Sequence, residues 1–277
     1  MAATSNTSSA ERTQGWYQKQ LTEFDGPFRE LLESYSNIPP SEVVAHVNIS
    51  RDRGFAINPY PCIGLYRFTK LTLREHPLYS NIIQRLKQPG TRYLDIGCCF
   101  GQDLRQLVFD GVPSQHLAGL DIERSLIDSG YDLFLDRDSL RSQFLVGDVF
   151  EGSSQVWADL EERRIDVVHC SAFFHLFTLE LQLAAARQIA KLVKKEGVIV
   201  GGQIGSVRPG NVAALQENSH SYRHNMETFE NMWRKVGEDT QTMWKVDSTL
   251  DMVGIDPHVP VQNEYSRRLV FTITRVL

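Results

Sequence analysis

From about position 90 onward the chain alternates short apolar runs with stretches of helical period, and no other feature limits the possible folds as tightly. Strand-like runs fall at 93–96, 116–120, 144–146, 165–168 and 198–204. Between them lie helix-period segments at 103–109, 125–135, 155–162 and 180–193. In the last of these, Leu181, Ala184, Ala185, Gln188, Ala190 and Leu192 gather into one stripe, as a helix closing on a sheet requires. Strand–helix–strand alternation implies right-handed crossovers and a parallel sheet with helices on both faces, so a three-layered α/β fold is expected. The tail breaks the rhythm: a helix at 228–236 precedes two strand-like runs, 242–246 and 267–274, separated only by a loop at 251–262. A parallel pair needs a long crossover, usually a helix, so these two strands should form an antiparallel hairpin at the end of the sheet.

Ahead of this core, prolines at 27, 39, 40, 59, 61 and 77 forbid a long helix, because each removes a donor and clashes with the preceding turn. Residues 16–89 are therefore expected as several short, aromatic-rich helices forming a lid or cap, with 1–15 disordered and 90–277 as the core. Composition narrows the function classes. Lys+Arg 29 against Asp+Glu 34 gives a net charge of −5, with no basic stripe to neutralise phosphates, so nucleic acid is not the expected partner. Cysteines 62, 98, 99 and 170 show neither zinc nor disulfide spacing, which fits a reducing compartment. There is no secretory h-region and no apolar run long enough to span a bilayer. A cytoplasmic protein off the membrane is expected, with a homodimer an allowed assembly.

The sharpest local feature is Tyr93-Leu94-Asp95-Ile96-Gly97-Cys98-Cys99-Phe100-Gly101-Gln102-Asp103. A strand, a tight turn of small residues and a helix start bring backbone N–H groups close to a ligand. The G-x-x-x-G spacing departs from the dinucleotide fingerprint, with Cys99 at a central glycine position, and Asp95 before the turn disfavours phosphate in favour of a cationic or hydroxyl-bearing ligand. Asp121 ends the second strand about twenty residues on, where a carboxylate accepts ribose hydroxyls. Asp148 ends the third, within reach of an exocyclic amine. Taken singly each is equally well read as a helix cap or a solvated loop acid; together they converge on the crevice at the carboxyl ends of the strands.

LDIGCCFGQD, GLDIE, FLVGDV and IDVVHCSAFFHLF resemble the successive motifs of class I S-adenosylmethionine-dependent methyltransferases. NPYPCIGLYRF, GYDLFLDRD, GGQIGS and HNMETFENMWRKVG look like fungal methyltransferases of meroterpenoid and polyketide pathways, several of which convert a carboxylate to a methyl ester. The resemblance covers about 59–277. It implies a Rossmann-like, mostly parallel sheet with a C-terminal antiparallel hairpin, S-adenosyl-L-methionine as cofactor and a small-molecule acceptor. It implies that Asp95, Gly97, Cys99 and Gly101 cradle the methionine and ribose, that Asp121 with Ile122 and Asp148 with Val149 hold the nucleoside, and that Cys170 and Ser171 flank the sulfonium and acceptor.

The acceptor side is less marked. His175, among aromatics after the fourth strand, is a candidate base or substrate orienter; a hydrogen-bonded core histidine is the plainer alternative. His220 and His224 have the i, i+4 spacing of a helical metal pair, but their surroundings read as a loop and no third ligand is placed, so no metal is assigned. Arg223 suits a carboxylate clamp, with a solvated surface arginine as the alternative, and His224 is grouped with it on the acceptor side. Tyr60, Tyr66 and Arg67, on a helix expected after Pro61, could close over the site or simply pack. Cys98 and Cys99 read as small residues filling a turn, since nothing basic lowers their pKa. The leading expectation is a carboxyl O-methyltransferase for an apolar metabolite. Hydroxyl, N- or C-methylation, a nicotinamide-dependent oxidoreductase and a non-catalytic nucleotide-binding protein are the rivals.

Overall fold

A computed structural model describes residues 17–214, 219–252 and 262–277; the segment expected to be disordered, 1–15, and most of the loop expected at 251–262 lie outside the described residues. Four short helices come first: α1 (Pro27–Ser34), α2 (Val43–Ile57), α3 (Pro61–Gly64) and α4 (Tyr79–Leu86). The core follows as β1 (Tyr93–Ile96), α5 (Gln102–Phe109), β2 (Leu117–Asp121), α6 (Arg124–Phe134), β3 (Gln143–Val146), α7 (Gln155–Arg163), β4 (Ile165–His169), α8 (Leu179–Leu192) and β5 (Val193–Ser206). The chain ends with β6 (Gly210–Ala213), β7 (His220–Arg223), α9 (Met226–Thr240), β8 (Trp244–Asp251) and β9 (Ser266–Arg275).

Seven strands form the main sheet in the order β3-β2-β1-β4-β5-β9-β8. β1 to β5 run parallel, and β9 joins β5 and β8 antiparallel, as the missing crossover helix requires. Every residue of β1 and β4 is buried, which is why those strands read as continuous apolar runs; β8 instead alternates half-buried and exposed residues, as an edge strand with one wet face does. On one face Leu94, Ile96, Leu120 and Val168 pack against α7, α8 and α9 through Trp157, Ile189 and Trp233. On the other, Tyr93, Leu117, Val167 and Val200 pack against α4, α5 and α6 through Ile82, Leu107 and Ile127.

Three helices, α6, α8 and α9, start on a side-chain cap, with Glu123 accepting from Ser125 N at α6. Thr178 accepts from Leu181 N at α8, and Asn225 and Thr228 form a reciprocal capping box at α9. α5 starts on a left-handed glycine, Gly101 at φ 67, and no side chain caps it. Its first N–H groups are thus open toward the strand ends.

Three expectations need correction. β5 begins at Val193, not near 198, because its polar opening, Lys194-Lys195-Glu196, is a solvent-facing extension that pairs back to β4 across a register shift. The stretch around 210–224 contains a two-stranded hairpin, β6–β7, and not a loop; its residues are too polar for strand alternation to show. The helix expected to carry Tyr60, Tyr66 and Arg67 is only the four residues of α3: Tyr66 has a left-handed φ of 55, which ends the helix, and Arg67 opens a 3-10 turn.

The N-terminal helices do not stand apart from the core. Phe28, Leu31, Val47, Phe55, Tyr66 and Phe68 share one buried cluster with Leu126, Leu133 and Phe134 of α6 and with Phe100 of the glycine turn. Phe100 meets Phe68 edge to face at 5.0 Å, and a Cβ on Gly54 of α2 would lie 2.4 Å from its Cζ. Full burial of such a ring contributes about 1.5–3 kcal/mol. The proline-broken segment is therefore anchored directly on the turn where the ligand is expected.

Candidate active site

The turn between β1 and α5 is drawn tight by backbone bonds: Gly97 N and Cys98 N both donate to Leu120 O, and Gly101 N donates to Cys98 O. Gly97 (φ 73), Cys99 (φ 50) and Gly101 (φ 67) are all left-handed. A Cβ on Gly101 would meet Arg105 Nη1 at 2.5 Å and the Phe144 ring at 2.7 Å, so only glycine fits there. From below, Arg105 is wholly buried, donates to Phe100 O at 2.8 Å and Gly101 O at 3.3 Å, and is held by both oxygens of Asp136 at 2.9 Å.

The expected acids occupy the expected strand ends, but they are used differently. Asp121 accepts from Cys99 N at 2.8 Å with one oxygen and from Glu123 N at 3.0 Å with the other, so it both braces the turn and keeps lone pairs for hydroxyls. Burial raises its pKa, partly offset by those two backbone donors. Asp148 accepts from Phe150 N at 2.9 Å, closing a local turn at the end of β3. Asp95 is 4% exposed, and its Oδ1 lies 2.9 Å from His169 Nδ1. Strand alternation directs it to the Tyr93 face, beneath the turn.

Ile122, next to Asp121, is 65% exposed, a large apolar side chain left bare at the crevice where a base could lie on it. The side chains of Val149 and Cys170 are buried in the core against α7 to α9, which leaves their backbone groups to meet a ligand. Ser171 donates to Gly202 O at 3.3 Å. The thiols of Cys98 and Cys99 are pushed well above their ordinary pKa by burial, which removes them as nucleophiles.

Phe150, Phe177 and Phe173 form a run of edge-to-face rings, with centroids 5.2 and 5.3 Å apart, and a Cβ on Gly97 would meet Phe173 Cδ2 at 3.4 Å. These aromatics wall the crevice beside the turn. Sequence reasoning missed all three; FFHLF after a parallel strand is the signal for Phe173 and Phe177, and Phe150 carries none.

His175 lies behind this wall with Arg223 and Arg67. Arg223 donates to the His175 carbonyl, is 4% exposed, and its Nε is buried with no hydrogen-bond partner. Among the described residues it has no carboxylate within ion-pair distance. Burial alone lowers its pKa to about 10. Burial first, then the charges of Arg223 and Arg67, hold the His175 imidazole far below its ordinary pKa, so it is neutral. The surface-arginine alternative for Arg223 is thereby excluded.

Tyr66 and His224 are placed elsewhere. The Tyr66 hydroxyl donates to Asn48 and its ring lies 4.3 Å from the Arg51 guanidinium, inside the N-terminal cluster. His224 is buried just after β7 with Nδ1 on Thr228 Oγ1 at 3.0 Å, whereas His220 begins that strand exposed to solvent. Along an extended strand, i and i+4 are about 13 Å apart, so the helical metal-pair geometry is lost. Tyr60 is 42% exposed ahead of α3.

These features fit S-adenosylmethionine. The left-handed turn admits a ligand where a Cβ would intrude, the uncapped α5 N-terminus suits its carboxylate, Asp121 suits its ribose, and bare Ile122 suits its base. Comparison with known proteins agrees. Residues 16–69 match the family described as the meroterpenoid methyltransferase N-terminal domain, and residues 87–256 match a methyltransferase domain family. The chain is 40% identical over 234 residues to the O-methyltransferase phiE of a fungal species, covering 83% of this chain and 78% of that protein. It is 35% identical over 230 residues to the asnovolin E/chermesin D methyltransferase nvfJ of Aspergillus novofumigatus, covering 82% of each. A Burkholderia thailandensis 1,6-didemethyltoxoflavin-N1-methyltransferase, solved with S-adenosylhomocysteine, shares the fold at TM-score 0.54 and 15% identity, covering 92% of this chain and 94% of that one. Among the described residues, no helix is long and apolar enough to cross a membrane.

Proposed function

The chain belongs to the S-adenosylmethionine-dependent methyltransferases of the fungal meroterpenoid family, and from that premise we propose that it methylates a carboxylate oxygen of a small, largely apolar metabolite, giving a methyl ester. The observation that carries this reading is Arg223, a buried guanidinium with an unpaired Nε and no carboxylate partner among the described residues. An uncompensated buried cation is costly, and an anionic acceptor would supply its missing partner. Its Nη1 is already spent on the His175 carbonyl, so the clamp would grip the acid through the Nε side.

The bound cofactor supplies an electrophilic methyl carbon on a sulfonium. Phe173 and Phe177 exclude water from the acceptor's approach, which strengthens every charge interaction inside. A carboxylic acid with a pKa near ~4 is already ionised at neutral pH, so no general base is required and alignment supplies most of the rate. A phenol, with a pKa near ~10, would need one. His175 is poorly suited to that task, because burial and two neighbouring guanidiniums suppress its proton affinity. Its role in this reading is to hold Arg223 through its carbonyl.

Arg223→Met and Arg223→Lys test the proposal in steady-state kinetics. For Arg223→Met the acceptor KM should rise roughly 10- to 100-fold, as expected for loss of a charge-assisted bond, with cofactor affinity unchanged and partial recovery in the lysine variant. An unchanged acceptor KM in a folded Arg223→Met enzyme would overturn it.

A further inference from the structure

Beneath the glycine turn lies a buried cluster that sheet packing alone does not require. Asp95 is the penultimate residue of β1, His169 ends β4 and Asp103 sits in the first turn of α5, with relative exposures of 4%, 2% and 2%. β1 and β4 pair in parallel with Asp95 opposite His169, and strand alternation turns both toward the face that α5 covers. His169 Nδ1 lies 2.9 Å from Asp95 Oδ1, and its Nε2 lies 3.5 Å from Thr72 Oγ1. Thr72 Oγ1 in turn donates to Asp103 Oδ2 at 3.3 Å, while Leu73 N donates to Asp103 Oδ1 at 3.0 Å. The ligand-type atoms of Asp95, Asp103 and His169 are within 4.8 Å of one another.

The groups facing this ring are Asp95 from β1, Asp103 from α5, the imidazole of His76 from the segment before α4, and the Tyr93 ring, stacked at 6.5 Å. Burial opposes a charged imidazole, but the two carboxylates outweigh it and the His169 pKa is raised. Asp103 is pushed up to about 6 by burial, with His169 opposing the rise and Asp95 adding to it. A neutral ring would leave two buried carboxylates facing each other with no cation between them. The same bonds leave little for a metal ion: Nδ1 is committed to Asp95, and both Asp103 oxygens accept from residues 72 and 73.

We propose that His169 is a positioning residue for cofactor binding: as an imidazolium between Asp95 and Asp103 it fixes the last strand residues before the glycine turn and the first helical turn after it. The turn at 97–101 hangs between those two anchors. Because Asp103 also takes the 72–73 backbone and hydroxyl donors, one ring ties β1, α5 and the N-terminal segment into a single support. The inference concerns the cofactor turn and is independent of which acceptor is methylated.

The test uses the full chain, His169→Phe, His169→Asn and S-adenosylhomocysteine as the binding probe. Asparagine keeps an N–H donor near the position of Nδ1 without the charge; phenylalanine keeps the shape without the donor. Calorimetric affinity should weaken about tenfold or more in His169→Phe and recover only in part in His169→Asn, which restores the donor to Asp95 but not the charge between the two carboxylates. In the ligand-free wild type, imidazole nitrogen NMR should show a ring that stays doubly protonated, with an exchange-protected Nδ1 proton, at pH values above those where a free imidazole loses its charge. His169→Phe binding as tightly as wild type would overturn the proposal. So would a neutral, freely exchanging His169 ring, a measurement that needs no variant to fold.

Discussion

Asp136→Ala probes the support of the glycine turn most sharply, because it removes the counter-ion of Arg105 and leaves the guanidinium in place. Arg105 is fully buried, receives both Asp136 oxygens at 2.9 Å, and stacks between the rings of Phe134 and Phe144 at 4.9 and 5.0 Å. Breaking one side of such a pair strands a charge in the interior and costs about 3–5 kcal/mol. The Tyr35 hydroxyl loses its acceptor as well. For a chain of this size about 2 °C accompanies each kcal/mol, so scanning calorimetry should show a fall in Tm of roughly 6–10 °C. The double variant Arg105→Met/Asp136→Leu replaces the pair by apolar groups of similar bulk and should regain about half of that loss or more. The same double variant gives up the bonds from Arg105 to Phe100 O and Gly101 O, so it should bind S-adenosylhomocysteine worse than Asp136→Ala does. A Tm change below about 2 °C for Asp136→Ala, or a double variant no more stable than the single, would refute the reasoning.

Gly54→Ala should be destabilising despite adding helix propensity, because the new Cβ meets the buried Phe100 ring at 2.4 Å; about 1 kcal/mol gained in propensity is set against 1–3 kcal/mol of overpacking. Chemical denaturation alongside cofactor titration checks both the loss and its transmission to the turn. Asp103 has a folded pKa of about 6 against an ordinary 3.8, so the native state holds an extra proton between those values. Its stabilising contribution is complete below 3.8 and is lost as pH rises through about 6. Asp103→Asn should flatten that part of the stability-versus-pH curve, and an unchanged slope counts against the assignment. With the proposed carboxylate as acceptor, already ionised, and His175 neutral, kcat should be level from about pH 6 to 8, and a limb near 7 would reveal a titrating base.

Much of this architecture was legible because buried parallel strands must be apolar along their whole length, and Leu94, Val167 and Ile199 are. The acids at 95, 121 and 148 were legible as strand-end residues for the same reason. Their direction was not. Asp95 and His169 belong to the inward parity of adjacent strands, shared with Tyr93 and Val167, and the pairing that brings them together is set by sheet order. His169 in IDVVH therefore looked ordinary, although a polar residue at an inward position beside an inward acid is a recoverable signal. The β6–β7 hairpin was hidden by its polar sequence, and with it the burial of Arg223. Tyr66 was misplaced because a proline-started helix has no fixed end in sequence, and a left-handed tyrosine closes it after four residues.

The central claim is that the methyl group ends on a carboxylate oxygen. Incubating the enzyme with methyl-labelled S-adenosylmethionine and the acidic metabolites of the encoding organism, followed by mild alkaline hydrolysis of the labelled product, tests it directly. The account predicts that the label is released as methanol, as a methyl ester requires. Label that survives alkali, as an aryl ether, an N-methyl or a C-methyl group would, contradicts it.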